Sequence, residues 1–544
     1  MLRLAKVFSD GMVLQQKKEI QIWGESEPNK SITVEIQGQT ENCVADEFGT
    51  FHLTVAPLQA SVQEKLRVTD GEMEIICQDV SVGEVFLAGG QSNMEFPLRY
   101  EKFSKEALKT RDDQLRFFDM PKKYYEEQDT DFDYHAVGRW RKAISEEDLG
   151  YFSAIGFYFA QEIREKLQVP VGIIGCNWGG TRSCAWMSED TVKKVGFPWE
   201  EEWQKAIAGR DMAAFWASQK NDPQADNGNP CMSIFDQIVL PGTPSLEEIG
   251  KAMMDMSQQM MENITDPITE TQRQEFGSND DGMSQQERMS KMMEAYRKEY
   301  LDAKIKPGIL YENMVKKIAP FSIRGVLWYQ GESEDVPGLQ CLYTSMLKGL
   351  ITDWRSLWQD DELPFIQVQL PGWESWMMQC NLDYATIRKC QEEVTKEMPG
   401  VYMASISDVG EQKDIHPKDK KTVGHRMALL ARHYLYGEDI LCEAPRPKFV
   451  KRQKNVITIT MENVGKGLQI IGDRLEGMDL LQGEREISFE SSVEGDQLIL
   501  AMEESEETSI RIRFARKAWY QVNLVNEAGI PAIPFELRCP AIRP

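Results

Sequence analysis

The sequence predicts an α/β protein: a doubly wound parallel sheet flanked by two small β domains and interrupted by a helical insertion. Three observations predict it. Short alternating strands open and close the chain. Continuous apolar runs between them alternate with helical patterns. One Met- and Gln-rich segment breaks that rhythm.

The first 83 residues read as β. Ile32, Val34 and Ile36 alternate with polar residues, Leu66 and Val68 repeat the pattern, and Met73 to Cys77 forms another apolar run. Breaks at Gly24 to Lys30, Gly38 and Gly49 space the strands as in a small sandwich.

From 84 to 440 the texture changes. Apolar runs occupy Val85 to Ala88, Val171 to Gly175, Gly325 to Tyr329, Phe365 to Leu370 and Val401 to Ile406. Their weak alternation suits strands covered on both faces. Helical patterns fall at Ala154 to Leu167, Tyr311 to Ile318, Leu342 to Trp358 and Ala385 to Met398, with another from Lys418 to Tyr436. Sites in such sheets sit in loops at the carboxyl ends of the strands. The segment from about 196 to 306 reads as a helical insertion. Its Met253 to Met261 cluster reads as core or interface, and Asn279 to Gly282 as a loop tip. From 441 to 544 β texture returns, with Ile457, Ile459 and Met461, then Ile510, Ile512 and Phe514, in alternation.

Charge narrows the function. Basic residues number 62 and acidic residues 87, a net charge of −25. Nucleic acid and anionic membranes select for positive surfaces, so neither is expected as a partner. The first 20 residues hold no apolar run long enough for a secretory signal, and no stretch approaches the roughly 18 apolar residues of a membrane span. A cytoplasmic location is expected. The ten cysteines are scattered without a CxxC pair, which argues for reduced, buried thiols and against a zinc site.

Four strand-end loops carry candidate chemistry. The first is Gly89-Gly90-Gln91-Ser92-Asn93-Met94. Two glycines after a buried strand can expose a serine hydroxyl on a tight turn, although a simple turn serine would look the same. A serine nucleophile needs a base. Of five histidines, His52 lies in the first β domain, His135 in an acidic aromatic loop, and His425 and His433 on a helix. His416, in Asp414-Ile415-His416-Pro417, follows the last strand run and precedes that helix, so it is the candidate. The loops around Asn177 to Arg182 and Gln330 to Glu334 supply a glycine pair and an amide with a carboxylate.

These pieces resemble the sialate O-acetylesterase family of SGNH-superfamily hydrolases. The similarity lies in GGQSNMEFPL (Gly89 to Leu98), NWGGTRSCAWM (Asn177 to Met187), LWYQGESE (Leu327 to Glu334) and DIHPKDKKTVGHR (Asp414 to Arg426), with FSDGMVLQ and QIWGES near the start. The resemblance implies an SGNH-type sheet and a serine esterase that removes acetyl groups from sugar hydroxyls, without metal or organic cofactor. It implies Ser92 as nucleophile, His416 as general base, and the Ser92 N–H, Gly180 and Gln330 as the oxyanion hole. The wider superfamily often places its Asp three residues before the His. Here the spacing is two, so Asp414 leads as orienting carboxylate, with Glu332 and Asp408 as rivals. Asn93, Arg182, Trp178 and Trp328 are candidates for substrate binding. Trp186, Tyr329, Trp373 and Trp376 are further aromatic candidates for packing on a sugar. Arg182 suits a sugar carboxylate or a structural salt bridge equally. Acetylated xylan, xyloglucan or mannan oligosaccharides are an alternative substrate class. A catalytically inert carbohydrate-binding protein is the alternative from outside enzymology.

Overall fold

The computed structural model describes residues 1–125, 138–219, 301–376, 379–502 and 508–541. His135, the Met253 to Met261 cluster and the Asn279 to Gly282 tip lie outside them. Of the segment from 196 to 306, helices Phe197–Ile207 and Met212–Gln219 and the turn Ala303–Ile305 are described.

The architecture is mixed α/β with several sheets. The central one contains β1 (Glu74–Gly90), β2 (Asp112–Asp119), β3 (Trp140–Ala143), β4 (Val171–Asn177), β5 (Gly325–Tyr329), β6 (Phe365–Val368) and β7 (Val401–Ala404). Their spatial order is β3-β2-β4-β1-β5-β6-β7. All neighbours are parallel except β3, which runs antiparallel to β2 at the edge. Every residue of β4, β5 and β6 is buried, as the continuous apolar runs require.

Four helices cover this sheet: α1 (Ala154–Leu167), α2 (Tyr343–Trp358), α3 (Tyr384–Glu397) and α4 (Lys420–Tyr434). Side-chain caps start three of them. Ser153 accepts from Gly156 N–H, Asp383 from Thr386 N–H and Asp419 from Thr422 N–H. Each cap satisfies an amide that the first helical turn leaves unpaired, worth about 1 kcal/mol. On one face Phe86 of β1 meets Phe159 of α1 edge-on at 4.7 Å, and α1 packs along α4. Alternation turns Gly89 to the other face, where Trp328 of β5 meets Trp354 of α2 at 5.6 Å. Burying aromatics of this size stabilises the sheet by about 1.5–3 kcal/mol each.

Two features differ from the sequence-based expectation. The edge pair β2–β3 extends the sheet past β4. Strand β1 also runs unbroken from the N-terminal β region into the central sheet, with its first half paired to strand Ser61–Thr69. The N-terminal strands and the α/β region accordingly share one continuous core. The C-terminal region has its own core between two four-stranded sheets. It braces the central region through Arg388 of α3, which is fully buried and whose guanidinium faces the Tyr520 ring at 5.2 Å. Among the described residues no helix is long and apolar enough to cross a membrane.

Candidate active site

The carboxyl ends of β1, β4 and β5 bring three of the four motif loops together, and the segment after β7 supplies the fourth. At the end of β1, Gly90 adopts φ +134°, and a Cβ there would lie 2.1 Å from the Tyr329 carbonyl oxygen. Only glycine fits that approach. Ser92 then opens a four-residue helix, Ser92–Glu95. Its Oγ lies 3.0 Å from His416 Nε2, across 324 residues of chain. Gly179 packs against the serine from the β4 side: a Cβ built on it would sit 3.3 Å from Ser92 Cβ. Gly180 beside it has φ +72°. Among the described residues neither the Ser92 nor the Gly180 amide donates a hydrogen bond within the protein.

His416 is buried between two aromatic residues. Trp376 meets its ring edge-on at 4.9 Å, and Phe96 lies 6.5 Å away. Asp414 Oδ1 accepts from the His416 backbone N–H at 2.8 Å and stands 3.5 Å from ring Nδ1. Its other oxygen pairs with Lys418 Nζ. Burial alone pushes the Asp414 carboxyl up, but the bonds from His416 and the Lys418 charge outweigh it and bring it down to about 2. Burial lowers the His416 imidazole below its usual value, Lys420 and Lys418 push the same way, and Asp414 opposes them. At neutral pH the pair is a carboxylate beside a neutral imidazole that can accept a proton from Ser92.

Glu332 occupies a different place. It is buried, and its Oε1 accepts from Asn93 Nδ2 at 2.6 Å, while Oε2 has no hydrogen-bond partner among the described residues. Asn93 is buried as well. Its Nδ2 also donates to the Ile415 carbonyl at 3.0 Å, and its Oδ1 accepts from Lys420 Nζ. Its amide is thus used within the protein and is not aimed at a ligand. Asp408 accepts both terminal nitrogens of Arg426, at 2.6 and 2.8 Å.

Gln330 is fully buried. Its Nε2 donates to the Thr181 carbonyl at 3.3 Å and to Glu334 Oε1 at 3.1 Å, and its Oε1 accepts from Tyr343 at 2.8 Å. Donation to an oxyanion requires one of those bonds to be given up. Arg182 pairs with Glu202 and lies 4.1 Å from the centre of the Trp199 ring, the salt-bridge arrangement rather than an open fork. Trp178 stacks on Tyr124 at 4.8 Å. Trp186, Trp328, Tyr329 and Trp373 are buried in the core, so of the aromatic candidates Trp376 alone is half-exposed at the histidine.

Two groups at this site carry no clear signal in the sequence. Glu95 accepts from Gly179 N–H at 2.7 Å and pairs with Lys122, tying the serine helix to the glycine loop. Lys420 is fully buried beneath Asn93. In sequence it sits in Pro417-Lys418-Asp419-Lys420-Lys421, a run that reads as solvated; its four-residue offset from His416 is the one available hint. Among the described residues no group of three His, Cys, Asp or Glu side chains is arranged to hold a metal ion. The described cysteines are free thiols; most are buried, with Cys341 and Cys380 exposed.

Residues 286–433 match the family described as carbohydrate esterase, sialic acid-specific acetylesterase. That match includes Gln330, Asp414 and His416; Ser92 and Gly180 precede it. The chain is similar to sialate O-acetylesterase of Mus musculus, 26% identical over 486 residues that cover 82% of this chain and 76% of the relative. It is also similar to that of Homo sapiens, at 24% identity over 84% and 76%. The crystal structure of a carbohydrate acetylesterase from Xanthomonas citri superposes with a TM-score of 0.70 at 25% identity, covering 99% of both chains. The class defined is an ester hydrolase, and its likenesses are to carbohydrate esterases. Within that group the likeness is to the sialate O-acetylesterases, and it extends over most of the chain.

Proposed function

We propose that the protein is a serine O-acetylesterase with an SGNH-type catalytic sheet, hydrolysing acetyl esters on sugar hydroxyls. The observation that carries the mechanism is the 3.0 Å contact between Ser92 Oγ and His416 Nε2, at the carboxyl ends of parallel strands. The substrate class follows the matches to carbohydrate acetylesterases.

Ser92 Oγ attacks the acetyl carbonyl while His416 takes its proton. Asp414 holds the imidazole and stabilises the imidazolium that forms. The Ser92 and Gly180 amides meet the developing oxyanion, and Gln330 joins them by releasing Thr181 or Glu334. Each such donor lowers the barrier by about 3–4 kcal/mol. The sugar oxygen leaves with the proton from His416. Water then attacks the acetyl-serine by the reverse transfers, releasing acetate and restoring the hydroxyl. Trp376, half-exposed beside His416, offers a flat apolar surface for a sugar ring.

Purified protein incubated with O-acetylated sialic acids and with acetylated xylan, xyloglucan and mannan oligosaccharides tests this by mass-spectrometric loss of acetyl groups. Deacetylation of one class identifies the substrate. Binding to all of them without acetate release favours the inert carbohydrate-binding alternative.

A further inference from the structure

Behind Ser92 stands a row of three buried polar side chains that acyl transfer does not use: Lys420, Asn93 and Glu332. Asn93 follows the nucleophile directly. Its one amide bonds to Glu332 in the loop after β5, to the carbonyl of Ile415 next to the base, and to Lys420 at the start of α4. An ammonium only donates and a carboxylate only accepts. Lys420 therefore fixes the Asn93 oxygen toward itself, and Glu332 fixes the Asn93 nitrogen. The amide cannot flip without leaving both partners unmatched.

Lys420 is placed against its own electrostatics. It is the first residue of α4, where the helix dipole disfavours a cation, and it is fully buried. Its partner is a neutral amide rather than a carboxylate, with the Phe96 and Tyr329 rings 4.7 and 5.6 Å from the ammonium. A well-packed apolar residue would satisfy stability at lower cost. Costly buried charges of this kind cluster at functional sites.

We propose that Lys420 is a positioning residue for acyl transfer. Through Asn93 and Glu332 it keeps the nucleophile helix and the base loop in register, and it holds a positive charge near the imidazole. This rests on the roles given above to Ser92 and His416. The charged groups acting on His416 are Asp414 and Lys418 from its own loop, with Glu411 bonded to the Lys418 N–H, and Lys420 from α4; Glu332, in the loop after β5, bonds to Asn93 and acts on Lys420. Glu95 turns to Lys122, and Glu374 pairs with Lys413. Burial above all lowers the Lys420 ammonium to about 7, while Glu332, Asp414 and Glu411 favour its charged form.

The test is the titration of the His416 ring in full-length protein, followed by NMR with 15N-histidine labelling and assigned against His416→Gln. Loss of a neighbouring positive charge stabilises imidazolium. Lys420→Met is therefore expected to raise the His416 pKa by about half a unit or more. It is also expected to lower kcat at least about tenfold, with KM changed by less than about threefold. Glu332→Gln removes negative charge and is expected to move the ring pKa the opposite way. Lys420→Gln retains a donor for Asn93 without the charge. It should reproduce the titration shift with kcat partly restored, and it carries the test where Lys420→Met does not fold by circular dichroism. A His416 titration and a kcat unchanged in these variants would overturn the proposal. A parent enzyme that hydrolyses no acetyl ester, yet shows the opposed titration shifts, would leave the charge placement standing and overturn the esterase reading instead.

Discussion

Two carboxylates, Asp414 and Glu332, reach the site from different loops, and their surroundings are opposite. Asp414 is partly exposed, paired with Lys418, and touches both the backbone and the ring of His416. Glu332 is buried, bonded to a neutral amide, and one of its oxygens has no hydrogen-bond partner among the described residues. The first environment holds a carboxyl ionised; burial in the second pushes it up. Nearness to His416 thus does not assign a role. The atom each carboxylate touches does, together with the charge state its surroundings favour.

The comparison has meaning only if Ser92 and His416 form the reacting pair. Ser92→Ala removes the nucleophile and should lower acetate release from 4-nitrophenyl acetate at least about 10³-fold, while the fold is kept. Activity within tenfold of the parent would break the comparison at its base.

Substituting each carboxylate by its amide then separates the two. Asp414→Asn should reduce kcat at least about tenfold more than Glu332→Gln, a difference of about 1.4 kcal/mol in barrier. Both changes keep shape and remove charge, and circular dichroism must show both variants folded. Should Glu332→Gln be the more damaged enzyme, the orienting role passes to Glu332 through Asn93.

The pH profile sharpens the same contrast. The base must be neutral to accept the Ser92 proton. Burial lowers the His416 pKa, so the neutral form persists below pH 6.5. The acid limb of kcat/KM should fall at a pH below the usual histidine value of about 6.5. Asp414→Asn removes the group that raises the His416 pKa, and should move that limb further down. A limb at or above 6.5 in the parent would show that burial is not the controlling influence.

Part of this site is legible in the amino-acid sequence alone. Fully buried parallel strands leave continuous apolar runs, so the ends of β1, β4 and β5 can be read, and with them the Ser92 loop and the glycine pair; the particular place of Gly180 is what the family resemblance implies. His416 follows because the four other histidines have poorer positions. The edge strand β2 is not legible, because Asp112, Asp113, Arg116 and Asp119 mask its short apolar centre. The continuity of β1 is hidden by a change of texture within a single strand. Lys420 is hidden for a physical reason: lysine in a charged run is normally solvated, and only the fold turns this one inward. The commitment of the Gln330 amide to Thr181 and Glu334 is likewise a tertiary fact, with no trace in the motif.

The smallest expected effect divides two tryptophans that the sequence offers for sugar contact, Trp328 as a named binding candidate and Trp376 as a further aromatic one. Trp328 lies in the core between Trp186 and Trp354, at 6.4 and 5.6 Å, while Trp376 stands half-exposed against the His416 ring. Trp328→Ala opens a core cavity and should cost about 3–5 kcal/mol of stability, read as a fall in denaturation midpoint. Trp376→Ala removes an apolar surface beside the base and should leave stability nearly unchanged. Aromatic packing of this kind is worth about 0.5–1.5 kcal/mol, so KM for an acetylated sugar should rise by about three- to tenfold. KM for 4-nitrophenyl acetate, which has no sugar to place on the ring, should change less. Equal losses on both substrates would mean that Trp376 supports His416 and not the sugar, and the binding surface would then lie elsewhere around the Ser92 loop.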